Sequence, residues 1–221
     1  MQIIELINLG SKKLKSNDID SNKLDSEILL SKVLNKRREE LLLNLNQKVT
    51  RKKINNFKNL ISRRCEKEPI AYILQEKEFW SKDFQVDKNT LIPRPETELM
   101  VKKIVKIFKE KKIFILDIGT GSGCILLSIL SELKDSKGIG IDKSKRAILV
   151  AKQNLKKHKL SGKTKFYVRS VDDIYSKKFD LVVSNPPYIM KKDLKNLQDD
   201  VKKFEPKLAL DGGNDGLDVI K

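Results

Sequence analysis

An apolar stretch that runs directly into a glycine-rich turn constrains the fold of this chain more than any other feature. Residues 113–116, Ile-Phe-Ile-Leu, have the composition of a buried strand, and Asp117 and the segment Ile-Gly-Thr-Gly-Ser-Gly-Cys at 118–124 follow at once. Glycine permits positive φ angles and lets a ligand approach the backbone closely. The segment therefore predicts a strand, a tight turn that binds a ligand, and the start of a helix.

A carboxylate after the next apolar stretch refines this prediction. Asp142 follows residues 138–141 and lies 19 residues beyond Gly123. A carboxylate at that point can accept hydrogen bonds from both hydroxyls of a ribose. This arrangement occurs in dinucleotide sites and in other sites that bind a nucleoside. We therefore expect a nucleoside-containing cofactor, of a kind that these residues alone do not name, at Asp117, Gly119, Thr120, Gly121, Ser122, Gly123 and Asp142.

Strand-like and helix-like segments alternate from residue 96 onward. Strands are predicted at 113–116, 138–141, 165–168 and 179–184, with helices at 123–133 and 144–158. Such alternation predicts a parallel sheet that carries helices on both faces and binds ligands at the carboxyl ends of its strands. The predicted fold class is therefore α/β and Rossmann-like.

The amino-terminal part has a different pattern, because apolar residues recur there at helical spacing and no glycine-rich loop is present. The clearest helical segments are 25–34 and 53–62, and residues 79–86 then change to a hairpin pattern. We expect a helical binding or packing domain at 1–76, a hairpin linker at 77–93 and the α/β domain at 94–221.

The strand predicted at 179–184 ends in Asn185, Pro186, Pro187 and Tyr188, which places them beside the glycine-rich loop. An NH2 group conjugated to a carbonyl or an aromatic ring is a poor nucleophile. The Asn185 side-chain oxygen and a main-chain carbonyl such as that of Pro186 can accept its two N–H groups and orient its lone pair, and proline removes competing donors. Tyr188 offers a flat packing face. The pattern indicates methyl transfer from S-adenosylmethionine to such a nitrogen, a reaction that gains mainly from positioning.

Composition is that of a soluble globular protein, with 39% hydrophobic and 35% charged residues. No signal peptide or membrane span is predicted, and we expect a cytoplasmic protein. Cys65 and Cys124 are expected to be reduced and buried, His158 to be solvated on a helix surface, and no metal site is predicted. The net charge of +17 favours encounters with nucleic acid, although scattered lysines fit background composition better.

Several segments of the chain resemble the release factor glutamine methyltransferases, which methylate the glutamine of the Gly-Gly-Gln motif in peptide chain release factors. They are Glu-Pro-Ile-Ala-Tyr-Ile at 68–73 with Phe79, Leu-Ile-Pro-Arg-Pro-Glu-Thr-Glu at 91–98, the loop at 117–123, Asn-Pro-Pro-Tyr at 185–188, and Glu205-Pro206 with Leu-Ala-Leu-Asp-Gly-Gly-Asn-Asp-Gly-Leu at 208–217. Asn-Pro-Pro-Tyr also occurs in adenine-N6 methyltransferases, whereas the segments at 91–98 and 208–217 are more particular to the glutamine family.

The resemblance implies a class I methyltransferase that binds S-adenosylmethionine, takes a release factor as its protein substrate through the helical domain, and does not act on nucleic acid. We expect a monomer. By position, the loop and Asp142 would hold the cofactor, Val171 and Asp172 would contact its adenine, and Asn185 to Tyr188 would hold the glutamine amide, with Asn185 also beside the cofactor. Residues 94–98 would line or brace the mouth of the site.

Two departures from the family pattern affect these expectations. Gln75, Ser81 and Lys82 stand where family members commonly carry glycine, which predicts a differently shaped hairpin. The chain ends at Lys221, after the expected start of a helix near Asn214, whereas the family fold continues through three more strands. We therefore expect a domain truncated before its last strands, with an open sheet edge and doubtful activity.

Two alternative functions remain open from the sequence. An adenine-N6 or other nucleic-acid amino methyltransferase fits Asn-Pro-Pro-Tyr and the positive charge, but it would normally need a target-recognition region. The non-enzymatic alternative is a basic binding module that keeps a methyltransferase core as a scaffold.

Overall fold

The computed structural model describes residues 1–174 and 178–221. The chain forms two compact units, Met1–Leu74 and Gln75–Lys221. In the part of the chain that is described, no helix is long and apolar enough to cross a membrane.

The amino-terminal unit is helical. Its helices are α1 (Ile3–Lys15), α2 (Asn22–Leu34), α3 (Arg38–Leu42), α4 (Arg51–Cys65) and α5 (Ile70–Leu74). Their apolar faces meet in one core, in which Leu6, Leu29 and Phe57 are fully buried. Helices α1, α2 and α4 pack closely at Gly10, where a Cβ atom would lie 2.4 Å from the Ser26 hydroxyl and 2.7 Å from the Phe57 ring. The helices expected at 25–34 and 53–62 are both present, within α2 and α4.

The second unit begins with a hairpin and continues as an α/β domain. Its elements are β1 (Glu76–Phe79), β2 (Lys82–Gln85), α6 (Glu98–Phe108), β3 (Phe114–Ile118), α7 (Cys124–Glu132), β4 (Lys137–Asp142), α8 (Lys145–Lys157), β5 (Thr164–Val168), β6 (Leu181–Ser184) and α9 (Asp199–Phe204). The sheet has the order β5-β4-β3-β6 with all neighbours parallel. The expected Rossmann-like α/β fold is confirmed.

The strand register brings the ends of the four strands to one edge of the sheet. Ile118 in β3 pairs with Ile141 in β4 and with Ser184 in β6, while Asp142 pairs with Val168 in β5. The chain segments that follow these residues are therefore neighbours, as the carboxyl ends of parallel strands are. This edge carries the glycine-rich loop and the Asn-Pro-Pro-Tyr segment.

The hairpin turns through Trp80 and Ser81, which have φ angles of 53° and 52°, and Gln75 before β1 has a φ of 59°. Two central residues with positive φ form the turn type that matches the twist of a two-stranded ribbon. Gln75 and Ser81 thus adopt the left-handed conformation that glycine takes without steric cost, whereas Lys82 is the first residue of β2.

A Ser81→Gly variant is expected to raise the free energy of unfolding by about 0.5–1 kcal/mol. Glycine removes a left-handed penalty of about 1–2 kcal/mol, and its greater freedom in the unfolded chain offsets roughly half of that gain. Lys82→Gly, one residue along in the strand, is the matched control and should be destabilising. Urea denaturation of both variants tests the assignment, which fails if the two substitutions shift the midpoint in the same direction.

One helical turn follows Asn214, where the start of a helix was expected: the Leu217 N–H donates to Asp215 Oδ1 at 2.9 Å, and the Lys221 N–H donates to the Leu217 carbonyl at 3.1 Å. Two expectations about single residues were wrong. His158 is partly buried against the Phe84 ring at a centroid distance of 4.5 Å, and burial lowers its pKa. Cys65 is only partly buried.

Candidate active site

The glycine-rich loop joins β3 to α7 and has an open side and a packed side. Gly119 and Gly123 have φ angles of 68° and 80°. A Cβ atom on Gly119 would meet no described atom within 4 Å, whereas one on Gly123 would lie 3.0 Å from the Phe166 ring. The Gly119 side of the loop therefore leaves room for a ligand against the backbone, while Gly123 allows α7 to pack closely on the sheet.

Thr120 and Asp117 fix this loop from its interior side. The Thr120 N–H donates to the Ile141 carbonyl at 2.9 Å, and the Thr120 hydroxyl donates to Asp117 Oδ2 at 2.6 Å. Asp117 is fully buried, and its Oδ1 has no hydrogen-bond partner among the described residues. Burial raises the pKa of Asp117 to about 7, against the opposing effect of the Thr120 hydrogen bond. The side chain braces the loop from the protein interior.

Asp142 ties the other end of the loop to β4. Its Oδ2 accepts from the Gly121 N–H at 3.0 Å, and its Oδ1 accepts from the Ser144 N–H at 2.8 Å. Ser144 itself caps α8 by accepting from the Ala147 N–H at 3.1 Å. Each carboxylate oxygen accepts more than one hydrogen bond, and Asp142 is partly exposed. It can hold the loop and still accept from a ligand.

Asn185, Pro186, Pro187 and Tyr188 follow the last residue of β6. The Ser184 hydroxyl donates to the Ile118 carbonyl at 2.9 Å, which fastens the end of β6 to the end of β3. Since Ile118 and Ser184 are register partners, Gly119 and Asn185 leave the sheet side by side. Asn185 to Pro187 are partly exposed, and Tyr188 is 68% exposed. The segment is accessible to a substrate next to the open side of the loop.

Val171 and Asp172 lie at the same edge on the β5 side. They belong to a short 3-10 helix, Val171–Asp173, that begins three residues after Val168, the partner of Asp142. Val171 is 45% exposed, and Asp172 Oδ2 accepts from the Ser170 hydroxyl at 2.6 Å. The residues expected at the cofactor and substrate positions therefore lie along one edge, except Asp117, which is buried beneath the loop. No cluster of metal-ligating side chains is found among residues 1–174 and 178–221.

Comparison with known proteins identifies the family of this chain. Residues 5–74 match the family described as PrmC N-terminal domain, and residues 95–208 match the family described as Methyltransferase small domain. The chain is 36% identical over 219 residues to a release factor glutamine methyltransferase of Caulobacter vibrioides, a match that covers 98% of this chain and 76% of that protein. The chain belongs to the release factor glutamine methyltransferase family.

Other relatives agree with this assignment. A family member from Buchnera aphidicola subsp. Acyrthosiphon pisum is 41% identical over 207 residues, covering 94% of this chain and 74% of that protein. A protein named bifunctional methyltransferase from Rickettsia typhi is 36% identical over 237 residues, and the chain spans 46% of its length. The resemblance identified from the sequence segments is thus confirmed, and the chain carries a methyltransferase domain.

A solved structure shares the fold at a lower identity. The hMettl16 catalytic domain, solved in complex with MAT2A 3'UTR hairpin 6, superposes with a TM-score of 0.54 at 16% sequence identity. The match covers 73% of this chain and 60% of that chain. At this level of identity the similarity concerns the fold alone.

In this family member, Asn154 on α8 is a site residue that the sequence analysis missed. Its side chain is fully buried and donates to the Ser122 carbonyl at 2.8 Å and to the Gln85 carbonyl at 3.0 Å. Its Oδ1 accepts from the Gln85 N–H at 2.7 Å. Asn154 therefore fastens the glycine-rich loop to β2. The available signal was its spacing, since Asn154 continues the buried face of Ala147 and Ala151.

An Asn154→Leu variant is expected to lose about 2 kcal/mol or more in free energy of unfolding. It leaves the buried Ser122 carbonyl without its partner, at a cost of ~1–3 kcal/mol, and it removes two part-buried hydrogen bonds to the Gln85 backbone, which contribute ~0.5–1.5 kcal/mol each. Gln153→Leu, at the exposed neighbouring position on α8, is the matched control and should change stability by less than about 0.5 kcal/mol. Chemical denaturation measures both. Equal stabilities of the two variants would contradict the role given to Asn154.

Proposed function

We propose that this protein uses S-adenosylmethionine to methylate the side-chain amide nitrogen of a glutamine in peptide chain release factors. The observation that carries the proposal is the β3 to β6 register, which sets Asn185 beside Gly119, in a chain that belongs to the glutamine methyltransferase family. In this proposal, Asn185 and the Pro186 carbonyl bind the glutamine amide next to the cofactor that lies on the open side of the loop.

The residues present fit the cofactor. Open space at Gly119 and Gly121 leaves room for it against the backbone of the loop. Asp142 has accepting capacity for ribose hydroxyls beyond its two bonds to the chain. Val171 offers an exposed apolar surface for an adenine face, and Asp172 an exposed carboxylate for an amino group. When bound, S-adenosylmethionine supplies an electrophilic methyl group on a positively charged sulfur.

The protein's contribution at the substrate is orientation. The lone pair of an amide nitrogen is delocalised into its carbonyl, so the nitrogen is a weak nucleophile. Asn185 Oδ1 and the Pro186 carbonyl are the acceptors for its two N–H groups, and they direct the lone pair toward the loop. Tyr188, 68% exposed, packs against the flat amide. Fixed geometry of this kind accelerates a displacement without a strong base.

Transfer of label from S-adenosylmethionine tests the proposal. The protein is incubated with labelled cofactor and, in separate reactions, with a release factor, the same release factor in which the glutamine of its Gly-Gly-Gln motif is replaced by alanine, DNA, and RNA. We expect label in the unaltered release factor alone. Label in nucleic acid would support an amino methyltransferase of the adenine-N6 type instead, and a folded, cofactor-binding protein that labels none of them would contradict the proposal.

A further inference from the structure

The chain returns after α9 and lies along the back of the Asn185 to Tyr188 turn. We call residues 205–218 the backing segment. Asp211 in this segment forms a parallel bridge with Ile189. Three backbone hydrogen bonds accompany it: the Ile189 N–H donates to the Leu210 carbonyl at 3.2 Å, the Gly212 N–H to the Ile189 carbonyl at 2.9 Å, and the Lys191 N–H to the Gly213 carbonyl at 2.8 Å.

Two glycines let the backing segment touch the turn directly. A Cβ atom on Gly212 would lie 2.8 Å from the Tyr188 Cα and 2.9 Å from the Pro187 carbonyl oxygen, and one on Gly216 would lie 2.6 Å from the Tyr188 carbonyl oxygen. These are contacts with backbone atoms, which cannot move aside as the end of a side chain can. Because a Cβ atom on Gly212 would also lie 2.8 Å from the Gly216 carbonyl oxygen, any larger residue there must displace the turn, the backing segment or both.

A buried carboxylate anchors the backing segment to another part of the domain. The Glu205 side chain is 1% exposed and accepts from the Arg94 guanidinium at 2.6 Å. Its second oxygen accepts from the Ile92 N–H at 3.2 Å. A buried carboxylate with charge-assisted and backbone partners fixes both of the segments that it joins. Glu205 therefore links the Leu-Ile-Pro-Arg-Pro-Glu-Thr-Glu segment to the segment that backs the turn.

We propose that Gly212, Gly216 and Glu205 are positioning residues for methyl transfer, which act by holding the Pro187 and Tyr188 backbone against the backing segment. This inference rests on the proposed function. The carbonyls of the turn orient the substrate only while their own places are fixed, and a displacement on the order of 1 Å at a reacting centre costs about 10²-fold in rate. The hydrogen bonds and close approaches named above join residues 187–191 to the backing segment and do not include the glycine-rich loop.

Gly212→Ala tests the contact, with Gly162→Ala as the matched control because a Cβ atom there would meet no described atom within 4 Å. We expect Gly212→Ala to lower kcat/KM for the release factor by about tenfold or more while the Kd for S-adenosylmethionine stays within about twofold. Gly162→Ala should leave both unchanged. An active wild-type protein with unchanged kcat/KM in Gly212→Ala overturns the inference, whereas a wild-type protein that methylates no glutamine contradicts the proposed function instead.

Amide hydrogen exchange tests the role of Glu205 without a measurement of turnover. In Glu205→Gln, we expect faster exchange of the amides of Ile189, Lys191 and Gly212, with unchanged exchange at Thr120 and Gly123 in the cofactor loop. Glu110→Gln, at an exposed position, is the control and should alter neither group. Exchange that is unchanged at 189–191, or that rises equally in both groups, overturns the positioning role of Glu205.

Discussion

An Asn185→Ala variant is expected to lose about 10²- to 10³-fold in kcat for the release factor, the range seen when one preorganised polar contact to a reacting group is removed. The substitution deletes one of the two acceptors that orient the glutamine amide. It leaves the fold intact, because the end of β6 is held by the Ser184 hydroxyl and the β3 register rather than by Asn185. The Kd for S-adenosylmethionine should change by less than about threefold.

Two further variants sharpen this test. Asn185→Asp keeps an accepting oxygen at the same place and should retain more turnover than Asn185→Ala, since the proposed role needs an acceptor and no donor. Asn196→Ala, at an exposed position of the same domain, should behave as wild type. Turnover measured with labelled cofactor, beside calorimetric binding of the cofactor, separates the outcomes. An Asn185→Ala variant with wild-type kcat would remove Asn185 from the chemistry.

The positions of the candidate site residues could be predicted from the sequence because each is marked locally. Apolar runs indicated β3, β4, β5 and β6, and the glycines at 119–123 and the prolines at 186–187 indicated turns after two of these strands. Parallel pairing then requires the strand ends to lie together. A local pattern combined with one rule of topology was enough to place Asp142 and Asn185 on the same edge.

The supporting contacts could not be predicted in the same way, because they join residues far apart in the chain. Asn154 bonds to Gln85 across 69 residues, and Glu205 bonds to Arg94 across 111. Nothing in the neighbourhood of either residue indicates its partner. The segment at 208–217 was recognised as characteristic of the family, but nothing in its sequence indicated that Gly212 and Gly216 would contact the backbone of the turn.

The pKa of Asp117 also depends on the folded environment. Its shift predicts how the stability of the protein changes with pH. Burial raises its pKa from the ordinary 3.8 to about 7. The folded state therefore binds this proton more tightly than the unfolded chain does, and stability falls as pH rises between these two values. The loss of stability from ionising Asp117 is absent below pH 3.8 and fully present above pH 7. It amounts to about 4 kcal/mol at most.

Asp117→Asn is expected to remove this penalty, because an amide cannot ionise and its oxygen can still accept from the Thr120 hydroxyl. The variant should be more stable than wild type at pH 8, by up to about 4 kcal/mol, and the difference should shrink when both proteins are unfolded by urea at pH 5. Asp135→Asn, at an exposed position, is the control and should show a difference that is small at both pH values. Contributions that are common to wild type and variant cancel, so the difference between them reports on the Asp117 carboxylate and its interactions. If the difference in free energy of unfolding is the same at pH 5 and pH 8, ionisation of the buried Asp117 carboxylate does not destabilise the folded protein. The proposed pH dependence would then be wrong.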